Sequence, residues 1–397
     1  MHKRQIALLG STGSIGTQAL DVVRDNTDRF EIYALVARQN VDLLAQQARE
    51  FRPEVVVIAD EQYYAPLKEA LADMPMKVWA GADAIADVVQ MAPVDVVLTA
   101  MVGYAGLRPT LAALEAGKAV ALANKETLVV AGELVTATAR RTGAPILPVD
   151  SEHSAIAQAL SSGRHRKGLT SPVVDGSTEV RRIVLTASGG PFRGKTRAEL
   201  ARVTAEEALA HPTWNMGPVV TVNSSTLMNK ALELIEAAYL FDVAPEDILP
   251  VVHPQSVVHS MVEFRDGSTI AQASPPDMRL PISLGLSWPR RLADVVPAND
   301  WDKPAAWTFE PLDDETFPAI CLARAALAQS PLHPAVFNAA NEECVEAFLR
   351  GRIAYLAVVD TVADVLEAFE AVDEPSYESV LEADRWARAR ARETMGV

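Results

Sequence analysis

Two carboxylates separated by one residue, Asp150 and Glu152, follow the apolar run PILPV (145–149). If strand geometry continues as far as Glu152, the two-residue period of a strand places both side chains on one side. Two like charges side by side are costly unless a positive group lies between them. A lysine, a substrate or a metal ion would serve. The competing interpretation makes Asp150 the N-cap of a helix over HSAIAQAL (153–160).

A divalent cation is bound better by three oxygen ligands than by two, and Glu233 is the best third candidate. It lies in NSSTLMNKALE (223–233), where Asn229 and Glu233 are four residues apart and share one helix face. The same helix start is a credible phosphate site, formed by Ser224, Ser225, Thr226, Asn229 and Lys230. The alternative is an N-capped amphipathic helix with a solvated acid.

The first predicted strand ends in GSTGSIG (10–16), and a helix follows. Glycine allows a tight turn and a close approach of backbone N–H groups to a pyrophosphate, next to the positive end of a helix. The spacing G-x-x-G-x-x-G departs from the usual G-x-G-x-x-G, but the strand–turn–helix context favours nucleotide binding. The alternative is a tight turn that binds nothing.

The residues after the second predicted strand, Ala37-Arg38-Gln39-Asn40, indicate which nucleotide is bound. NAD enzymes usually place a carboxylate there for the ribose 2′-hydroxyl. This chain has no carboxylate there and has a guanidinium able to bind a 2′-phosphate, which favours NADP. The alternative is that Arg38 is an ordinary solvated loop arginine.

Three further segments have the composition of a ligand site. Asn124-Lys125-Glu126 ends a predicted strand, where doubly wound sheets bind ligands. SGGPF (188–192) is a glycine turn after a strand, and HPTWNMGP (211–218) has the composition of a lid that excludes water. Taken singly, His211 is equally well a structural histidine, and Trp214 a packed core residue.

The elements that position these residues follow from the strand pattern of the first 150 residues. Strands without polar alternation, separated by helical patterns, predict a parallel sheet covered on both faces. The predicted strands are 6–10, 31–37, 54–60, 77–81, 95–101, 118–124 and 145–150. The predicted fold class is therefore α/β, with an N-terminal doubly wound, Rossmann-like parallel sheet forming an NADP domain over 1–150.

The remainder predicts two further regions. A strand at 181–188 and a hairpin signal at Asp266-Gly267 indicate an α+β catalytic domain over 151–286, with a lid near 208–218. Residues 287–313 are proline-rich and predict an ordered connector, and 314–397 predict a helical bundle. The stretch 163–180 is interpreted as a variable surface insertion.

Composition excludes several classes of protein. The formal charge of −16 argues against a nucleic-acid surface and leaves small anionic substrates open. The two cysteines, Cys321 and Cys344, fit reduced core residues of a cytoplasmic protein. The apolar stretch near the start is too short for a signal peptide, and no apolar run reaches membrane-spanning length. We therefore expect no nucleic-acid and no membrane partner.

Together, these residues predict a nucleotide domain, a divalent-metal site and a phosphate site under a lid. A hydride donor beside a Lewis acid indicates reduction of a metal-polarised carbonyl on a phosphorylated substrate. Physical reasoning alone does not name the substrate.

Seven motifs in one order, GSTGSIG, ALANKE, LPVDSEH, SGGPF, HPTWNMG, LMNKALELIEA and HPQSVVHSMV, resemble the 1-deoxy-D-xylulose 5-phosphate reductoisomerase family. The resemblance extends to FNAANE (337–342) near the C-terminus. It implies a homodimer that uses NADPH and Mn²⁺ or Mg²⁺ in the non-mevalonate isoprenoid pathway. The implied reaction converts 1-deoxy-D-xylulose 5-phosphate into 2-C-methyl-D-erythritol 4-phosphate, by rearrangement to an aldehyde and hydride reduction.

The resemblance also implies a role for each matching residue. Asp150, Glu152 and Glu233 match the metal ligands, and Lys125, Ser151 and His211 match residues that contact the reacting part of the substrate or close over it. The phosphate-binding matches are Ser188, Ser224, Asn229 and Lys230, the lid matches are His211 and Trp214, and Met216 matches a residue near the nicotinamide. The NADPH-binding matches are Thr12, Gly13, Ser14, Ile15, Arg38, Gln39, Asn40, Asn124, Glu126 and Gly217.

Two departures from the family pattern are visible. Arg38-Gln39-Asn40 stands where Gly-Lys-Asn is expected, and Asn223 stands where an aspartate is common. Two rival functions remain. A semialdehyde or homoserine type of NADP dehydrogenase would need no metal, and a non-catalytic nucleotide sensor would not need Lys125 or the three carboxylates.

Overall fold

A computed structural model describes residues 3–214, 216–371 and 375–397. Asn215, which falls in the predicted lid, lies outside the described residues. The chain divides into two compact units. The first holds residues up to Thr127, Ala137–Ser154 and Asp277–Pro297, and the second holds Leu128–Thr136, Ala155–Pro276 and residues from Ala298 onward. The domain boundaries expected at 150, 286 and 313 stay a prediction, since a compact unit is not necessarily a domain that folds alone.

The first unit contains a seven-stranded sheet in which every neighbouring pair is parallel. Its spatial order is β4-β3-β2-β1-β5-β6-β7, so the order reverses between β1 and β5. The strands are β1 Arg4–Leu9, β2 Phe30–Ala37, β3 Val55–Ile58, β4 Lys77–Ala80, β5 Val96–Thr99, β6 Ala119–Leu122 and β7 Ile146–Pro148. The doubly wound parallel sheet that the sequence predicts is confirmed.

Helices connect these strands, as parallel pairing requires. They are α1 Ser14–Asp25, α2 Val41–Phe51, α3 Tyr64–Ala70, α4 Gly81–Gln90, α5 Leu107–Glu115, α6 Glu126–Thr142 and α7 Ser151–Leu160, with 3₁₀ turns at Glu61–Tyr63 and Gly103–Gly106. Helix α1 buries Ala19, Leu20 and Val23 on one stripe. These side chains pack with Ile6, Leu8 and other strand residues in one hydrophobic core.

The second unit contains a five-stranded sheet in the order β11-β10-β8-β9-β12. Its strands are β8 Val180–Ala187, β9 Ile248–Val252, β10 Val258–Phe264, β11 Thr269–Ala273 and β12 Glu310–Pro311. Strands β10 and β11 form the hairpin that Asp266-Gly267 predicts, with Gly267 at φ +91° and the Ser268 N–H donating to Asp266 at 2.9 Å. The mixed sheet confirms the α+β expectation for the middle of the chain.

Helices of the central and C-terminal parts complete the chain. The central ones are α8 Arg197–Leu200, α9 Ala205–Leu209, α10 Pro218–Ser225, α11 Met228–Phe241, a 3₁₀ turn Pro245–Asp247 and α12 Arg279–Ser287. The terminal ones are α13 Ala319–Gln329, α14 His333–Leu349, α15 Tyr355–Glu367 and α16 Tyr377–Met395. Helix α14 is buried along most of its length, and α15 and α16 pack against it. The predicted C-terminal helical region is confirmed.

One expectation from the sequence is not met: strand geometry does not reach Glu152, because β7 ends at Pro148 and α7 begins at Ser151. The ordered connector over 287–313 stays a prediction, and its end contains the two-residue strand β12, which pairs antiparallel with β9. Pro311 fits there because a proline without an N–H is tolerated on an edge strand.

The stretch 163–180 packs against the end of α11. The Leu169 N–H donates to the Leu240 carbonyl at 2.8 Å, and His165 Nε2 lies 2.8 Å from the Phe241 carbonyl. A Cβ on Gly168 would meet the Leu240 carbonyl oxygen at 2.5 Å, so this contact needs glycine. The segment therefore caps a helix that carries predicted site residues.

In the part of the chain that the structure describes, each helix is too short or too polar to cross a lipid bilayer.

Candidate active site

The glycine turn lies at the carboxyl edge of the parallel sheet, between β1 and α1. Gly10 has φ +85°, and a Cβ there would meet the Ala100 carbonyl oxygen at 2.4 Å. A Cβ on Gly16 would meet the Gly10 carbonyl oxygen at 2.2 Å. Glycine is therefore required at both positions, at Gly10 for the backbone angle and at Gly16 for the helix to pack on the turn.

The first turn of α1 is suited to an anion. Gly13 is the N-cap, Gly13 and Ser14 are exposed, and Thr12 and Ile15 are half-buried. The first helical turn carries no acidic residue. Free backbone N–H groups and the positive end of the helix dipole therefore face outward where a pyrophosphate would bind.

Arg38, Gln39 and Asn40 are exposed directly after β2, the neighbour of β1 in the sheet. Asn40 is the N-cap of α2, and its side-chain oxygen accepts from the Leu43 N–H at 3.2 Å. Asn40 thus has a structural role beside the predicted nucleotide contact, while the guanidinium of Arg38 remains accessible to solvent.

Asn124 is buried at the end of β6, and its side chain makes hydrogen bonds within the protein. Its Nδ2 lies 2.7 Å from the Met101 carbonyl, 3.0 Å from the Gly103 carbonyl and 2.7 Å from the Glu126 carboxylate. Its oxygen accepts from the Thr127 hydroxyl. The side chain therefore orders the loop that follows β5, which borders the switch point between β1 and β5.

Lys125 and Asp150 form an ion pair at the ends of the neighbouring strands β6 and β7. The Nζ–Oδ2 distance is 2.7 Å, and the two side chains are 13% and 12% exposed. The other oxygen of Asp150 lies 3.0 Å from His153 Nδ1 and 3.2 Å from the Glu152 N–H. Asp150 is therefore an N-cap of α7 as well as a partner of Lys125, so the helix-cap interpretation is confirmed as geometry.

The pKa of Asp150 reflects opposing effects. Burial would raise it, but the positive charge of Lys125 and the hydrogen bond from His153 hold the pKa of the carboxyl well below its usual range. Asp150 is therefore a carboxylate at neutral pH. Glu152 is half-buried in the first turn of α7 and accepts a hydrogen bond from Ser151 Oγ. The helix N-terminus favours both negative charges.

In the second unit, the imidazole of His211 lies between the hydroxyl groups of Ser188 and Ser224. His211 Nε2 lies 3.1 Å from Ser188 Oγ and 3.1 Å from Ser224 Oγ. Its Nδ1 accepts from the backbone N–H groups of Thr213 and Trp214, at 3.1 and 2.9 Å. An Nδ1 that accepts carries no proton, so the proton is on Nε2 and faces the two hydroxyl groups.

Burial lowers the pKa of His211, which agrees with a neutral ring. Gly190, in the SGGPF turn, has φ +65°, and a Cβ there would meet the Ser224 carbonyl oxygen at 2.8 Å. The turn therefore approaches α10 closely only because this residue is glycine. We use the name phosphate cradle for the predicted phosphate-binding residues Ser188, Ser224, Asn229 and Lys230, together with His211, which lies 3.1 Å from two of them.

The remaining cradle residues begin helix α11. Asn229 Nδ2 donates to Glu233 Oε1 at 2.5 Å, and the Lys230 ammonium pairs with Glu233 Oε2. The side chains of Lys230 and Glu233 are 4% and 1% exposed. Between α10 and α11, Leu227 has φ +61°, a strained conformation for a branched residue. Over residues 221–230 only Ser224 and Asn229 are not buried.

The predicted lid residues are partly exposed. Trp214 packs edge-on against His259, with ring centroids 6.2 Å apart, and Gly217 is the N-cap of α10. Met216 is half-buried. The sequence predicted no role for His259, although this residue lies in the motif HPQSVVHSMV (253–262). Its Nε2 lies 3.1 Å from the Ser274 carbonyl, which fixes the ring beneath Trp214.

The predicted residues thus form two sets. The first unit holds the glycine turn, the residues after β2 and β6, and the carboxylates Asp150 and Glu152. The second unit holds the phosphate cradle, Glu233 and the described lid residues. A glycine turn at the switch point of a doubly wound sheet is typical of nicotinamide-nucleotide oxidoreductases, and the hydroxyl, imidazole and ammonium groups of the second unit are of the types that bind an anion.

The comparisons with known proteins are specific. Models of 1-deoxy-D-xylulose 5-phosphate reductoisomerase and of two of its C-terminal domains match residues 6–132, 146–241 and 273–390. The 1-deoxy-D-xylulose 5-phosphate reductoisomerase of Beutenbergia cavernae is 56% identical, over 99% of this chain and 97% of that protein. The chain belongs to the 1-deoxy-D-xylulose 5-phosphate reductoisomerase family.

Solved structures agree. The reductoisomerase of Zymomonas mobilis in complex with NADPH has a TM-score of 0.90 at 43% identity, covering 99% of each chain. A DOX-P reductoisomerase with NADPH, fosmidomycin and magnesium has a TM-score of 0.89 at 36% identity, covering 99% of this chain and 98% of that one. The predictions of family, fold class and enzyme class are thereby confirmed, and the NADPH and magnesium of these solved relatives agree with the predicted cofactors.

Proposed function

We propose that this chain converts 1-deoxy-D-xylulose 5-phosphate into 2-C-methyl-D-erythritol 4-phosphate for isoprenoid biosynthesis, using NADPH and Mg²⁺ or Mn²⁺. The observation that carries the proposal is the family match over nearly the whole chain, which has the proposed metal ligands Asp150, Glu152 and Glu233 and departs from the expected nucleotide contacts at Arg38-Gln39. The solved relatives with NADPH, fosmidomycin and magnesium support the cofactors.

The proposed metal ligands are Asp150, Glu152 and Glu233. Carboxylate oxygens are the donors that Mg²⁺ and Mn²⁺ prefer, so the donor set fits the cation. The low pKa of Asp150 keeps this ligand ionised. Lys125 and Lys230 neutralise carboxylate charge on Asp150 and Glu233. When bound, the cation supplies Lewis acidity toward the substrate's carbonyl and hydroxyl oxygens.

Lys125 and Ser151 are proposed to contact the substrate's oxygen atoms. The ion pair with Asp150 fixes the position of the Lys125 ammonium, and the side chain is 13% exposed. An ammonium fixed in this way stabilises negative charge that develops on a substrate oxygen during the rearrangement. Ser151 is half-buried beside it in the first turn of α7.

The phosphate cradle is proposed to bind the 5-phosphate of the substrate. His211 donates from Nε2, the hydroxyl groups of Ser188 and Ser224 lie 3.1 Å from that atom, and Lys230 provides positive charge. Binding energy at a phosphate distant from the reacting bonds stabilises a closed state and orients the sugar. Trp214 then covers the substrate and excludes water, and Met216 lies near the nicotinamide.

NADPH is proposed to bind along the carboxyl edge of the seven-stranded sheet, and it supplies the hydride. Backbone N–H groups at Thr12, Ser14 and Ile15 would bind the pyrophosphate, and Gly13, whose N–H donates to the Gly10 carbonyl at 3.0 Å, would allow its close approach. Arg38, Gln39 and Asn40 would contact the ribose 2′-phosphate. Asn124, Glu126 and Gly217 complete the proposed contacts, Asn124 through the loop that its side chain orders.

We further propose that the enzyme is a cytoplasmic homodimer. Burial raises the pKa of Cys344 to about 12, so its thiol is unreactive, as in a core cysteine of a reducing compartment. Cys321 is exposed, so the expectation that both cysteines are core residues is wrong for Cys321. Sedimentation of the purified protein measures the oligomeric state, and a monomer at micromolar concentration would refute the dimer.

The test follows NADPH oxidation by purified protein with 1-deoxy-D-xylulose 5-phosphate, first with Mn²⁺ or Mg²⁺ and then with the metal chelated. We expect metal-dependent turnover, with NADPH preferred over NADH. Absence of turnover with either nucleotide, in protein that is folded by circular dichroism, would refute the proposed reaction. Turnover that survives chelation would refute the metal site alone.

A further inference from the structure

The end of helix α10 is attached to the C-terminal helices on both sides of Ser224. Asn223 and Ser225, the residues before and after it, are buried, while Ser224 is half-exposed in the phosphate cradle. Asn341 in the middle of α14 donates from Nδ2 to Asn223 Oδ1 at 3.0 Å. The Tyr355 hydroxyl, at the start of α15, donates to the Ser225 carbonyl at 2.7 Å.

Tyr355 also contacts the other wall of the cradle. Its ring packs edge-on against Phe192 of the SGGPF turn at 5.2 Å and against Phe348 of α14 at 5.6 Å. Burial raises the pKa of Tyr355, so the hydroxyl stays protonated and donates. The Ser225 carbonyl is one of the last of α10 and has no partner within that helix, so this bond caps the helix.

The Asn223–Asn341 pair is the more informative of the two attachments. Both residues are buried, Asn223 to 5% and Asn341 to 0% exposure, so the hydrogen bond is shielded from water. Asn341 Oδ1 has no hydrogen-bond partner among the described residues. Loss of either partner would leave the other buried amide without a hydrogen bond, so the contact between the end of α10 and the middle of α14 is sensitive to substitution.

We propose that Asn341 is a positioning residue for substrate binding: through Asn223 it fixes the end of α10 and so aims the Ser224 hydroxyl at the substrate phosphate. This inference rests on the proposed function of the cradle. A rotation of α10 would displace Ser224 from His211, while the glycine turn and the residues around Asp150 would be unaffected. The loss should therefore appear in the KM for the phosphorylated substrate and not in the KM for NADPH.

Asn338 provides a matched control one helical turn earlier. It lies on the same helix, is 1% exposed, has an unsatisfied Oδ1 among the described residues, and donates from Nδ2 to Glu342 at 3.0 Å. Asn341→Leu and Asn338→Leu make the same chemical change at the same depth. We expect Asn341→Leu to raise the substrate KM about tenfold, as loss of one buried hydrogen bond predicts. Asn338→Leu should change the melting temperature but leave that KM within about twofold.

Aspartate substitutions at positions 223 and 341 change the hydrogen-bond donors and acceptors with little change in size. They therefore distinguish an effect on the position of Ser224 from an effect on core packing. In Asn223→Asp the new carboxylate still accepts from Asn341, and in Asn341→Asp the Asn223 amide can turn and donate. Each single variant therefore keeps a hydrogen bond and most of the substrate affinity. The double variant Asn223→Asp/Asn341→Asp places two carboxyl groups together, which share a proton at low pH and have no donor once both are ionised, so it is measured at the alkaline end of the assay range. We expect its substrate KM to rise by more than the product of the two single effects.

Equal KM effects of the two leucine variants, or a double aspartate variant no worse than the product of the singles, would overturn the proposal. Binding of inorganic phosphate, measured by calorimetry on the same folded variants, does not depend on turnover. If the wild type binds phosphate and the double variant binds it more weakly, while neither reduces 1-deoxy-D-xylulose 5-phosphate, the proposed reaction fails and the positioning inference stands. Unchanged phosphate binding across the set would refute the inference even if turnover is normal.

Discussion

Two lysine–carboxylate ion pairs occur among the predicted site residues, and they differ in how the fold brings the two charges together. Lys230 and Glu233 are three residues apart on one turn of α11, and their side chains are 4% and 1% exposed. Lys125 and Asp150 follow two neighbouring strands, and they are 13% and 12% exposed. The first pair depends on helix geometry and burial, and the second on the pairing of β6 with β7.

Both pairs belong to the proposed site, and the difference predicts how much each contributes to stability. A deeply buried pair cannot lose one partner without leaving an uncompensated charge in a medium of low polarity. A pair near the surface, with other donors to its carboxylate, tolerates that loss better. We therefore expect the α11 pair to contribute more to folding, and the Lys125–Asp150 pair to combine a small folding contribution with access to substrate.

The largest effect is expected from Lys230→Met. This variant removes the ammonium that neutralises Glu233, and loss of one partner of a buried pair costs about 3–5 kcal/mol. Urea unfolding in chelator measures it, and Lys230→Met/Glu233→Leu should recover part of the loss. A cost below about 1 kcal/mol would show that the two pairs do not differ as we infer.

Lys125→Met should cost less, about 1–2 kcal/mol, because Asp150 keeps the hydrogen bonds from His153 and the Glu152 N–H. The same urea titration measures it, and turnover should nevertheless fall by at least about a hundredfold because the oxyanion donor is lost. If this variant were as unstable as Lys230→Met, the contrast between the two pairs would be refuted.

Glu152→Gln tests whether the more open set binds the cation. The amide keeps the shape and the Ser151 contact but removes one negative charge, so Mn²⁺ affinity should fall about tenfold or more. Calorimetry measures it, with stability in chelator unchanged. Glu126→Gln changes another carboxylate in the first turn of a helix at the same sheet edge, and it should leave Mn²⁺ affinity unaltered.

The smallest effect concerns His165, which contacts the C-terminal end of the helix that carries Lys230. Burial lowers the pKa of His165, and its Nδ1 and Nε2 lie 2.8 Å from Thr178 Oγ1 and the Phe241 carbonyl. The unfolded chain therefore takes up a proton first as the pH falls through about 6.5, so stability declines below that pH.

His165→Gln should cost about 1 kcal/mol near neutral pH through lost hydrogen bonds, and less than that below about pH 6. Melting temperatures across this range measure the difference. Thr178→Val keeps the imidazole and should retain the wild-type pH dependence. If the gap between His165→Gln and the wild type were constant with pH, protonation of His165 would not limit stability.

Local patterns in the sequence predicted most of the fold. Uninterrupted apolar runs identified the strands of the parallel sheet because both faces are buried, and Asp266-Gly267 identified the hairpin because few residues adopt its backbone angles. Local patterns misled at Glu152, where the chain turns from strand to helix within two residues. They also missed β12, because a two-residue edge strand exists only through its partner β9.

The residue types of the candidate site were also readable from motifs, but their connections were not. The sequence allows Asp150 to be either a metal ligand or a helix cap. In the structure it caps α7, and its carboxylate stays ionised beside Lys125. The sequence predicted no role for His259, Asn341 or Tyr355. Each of these acts across a long stretch of chain, for example from Asn341 to Asn223, and no local period records such a contact.

By itself, therefore, the sequence determined the fold class, the glycine turn, the cofactor type and the helical spacing that joins Lys230 to Glu233, because each depends on residues a few positions apart. The tertiary structure alone decided which ring nitrogen of His211 carries the proton and that Lys125 pairs with Asp150. It also decided that α14 and α15 contact the residues on both sides of Ser224. These features depend on which distant segments pack together and exclude water, and it is burial that makes a hydrogen bond or a charge decisive.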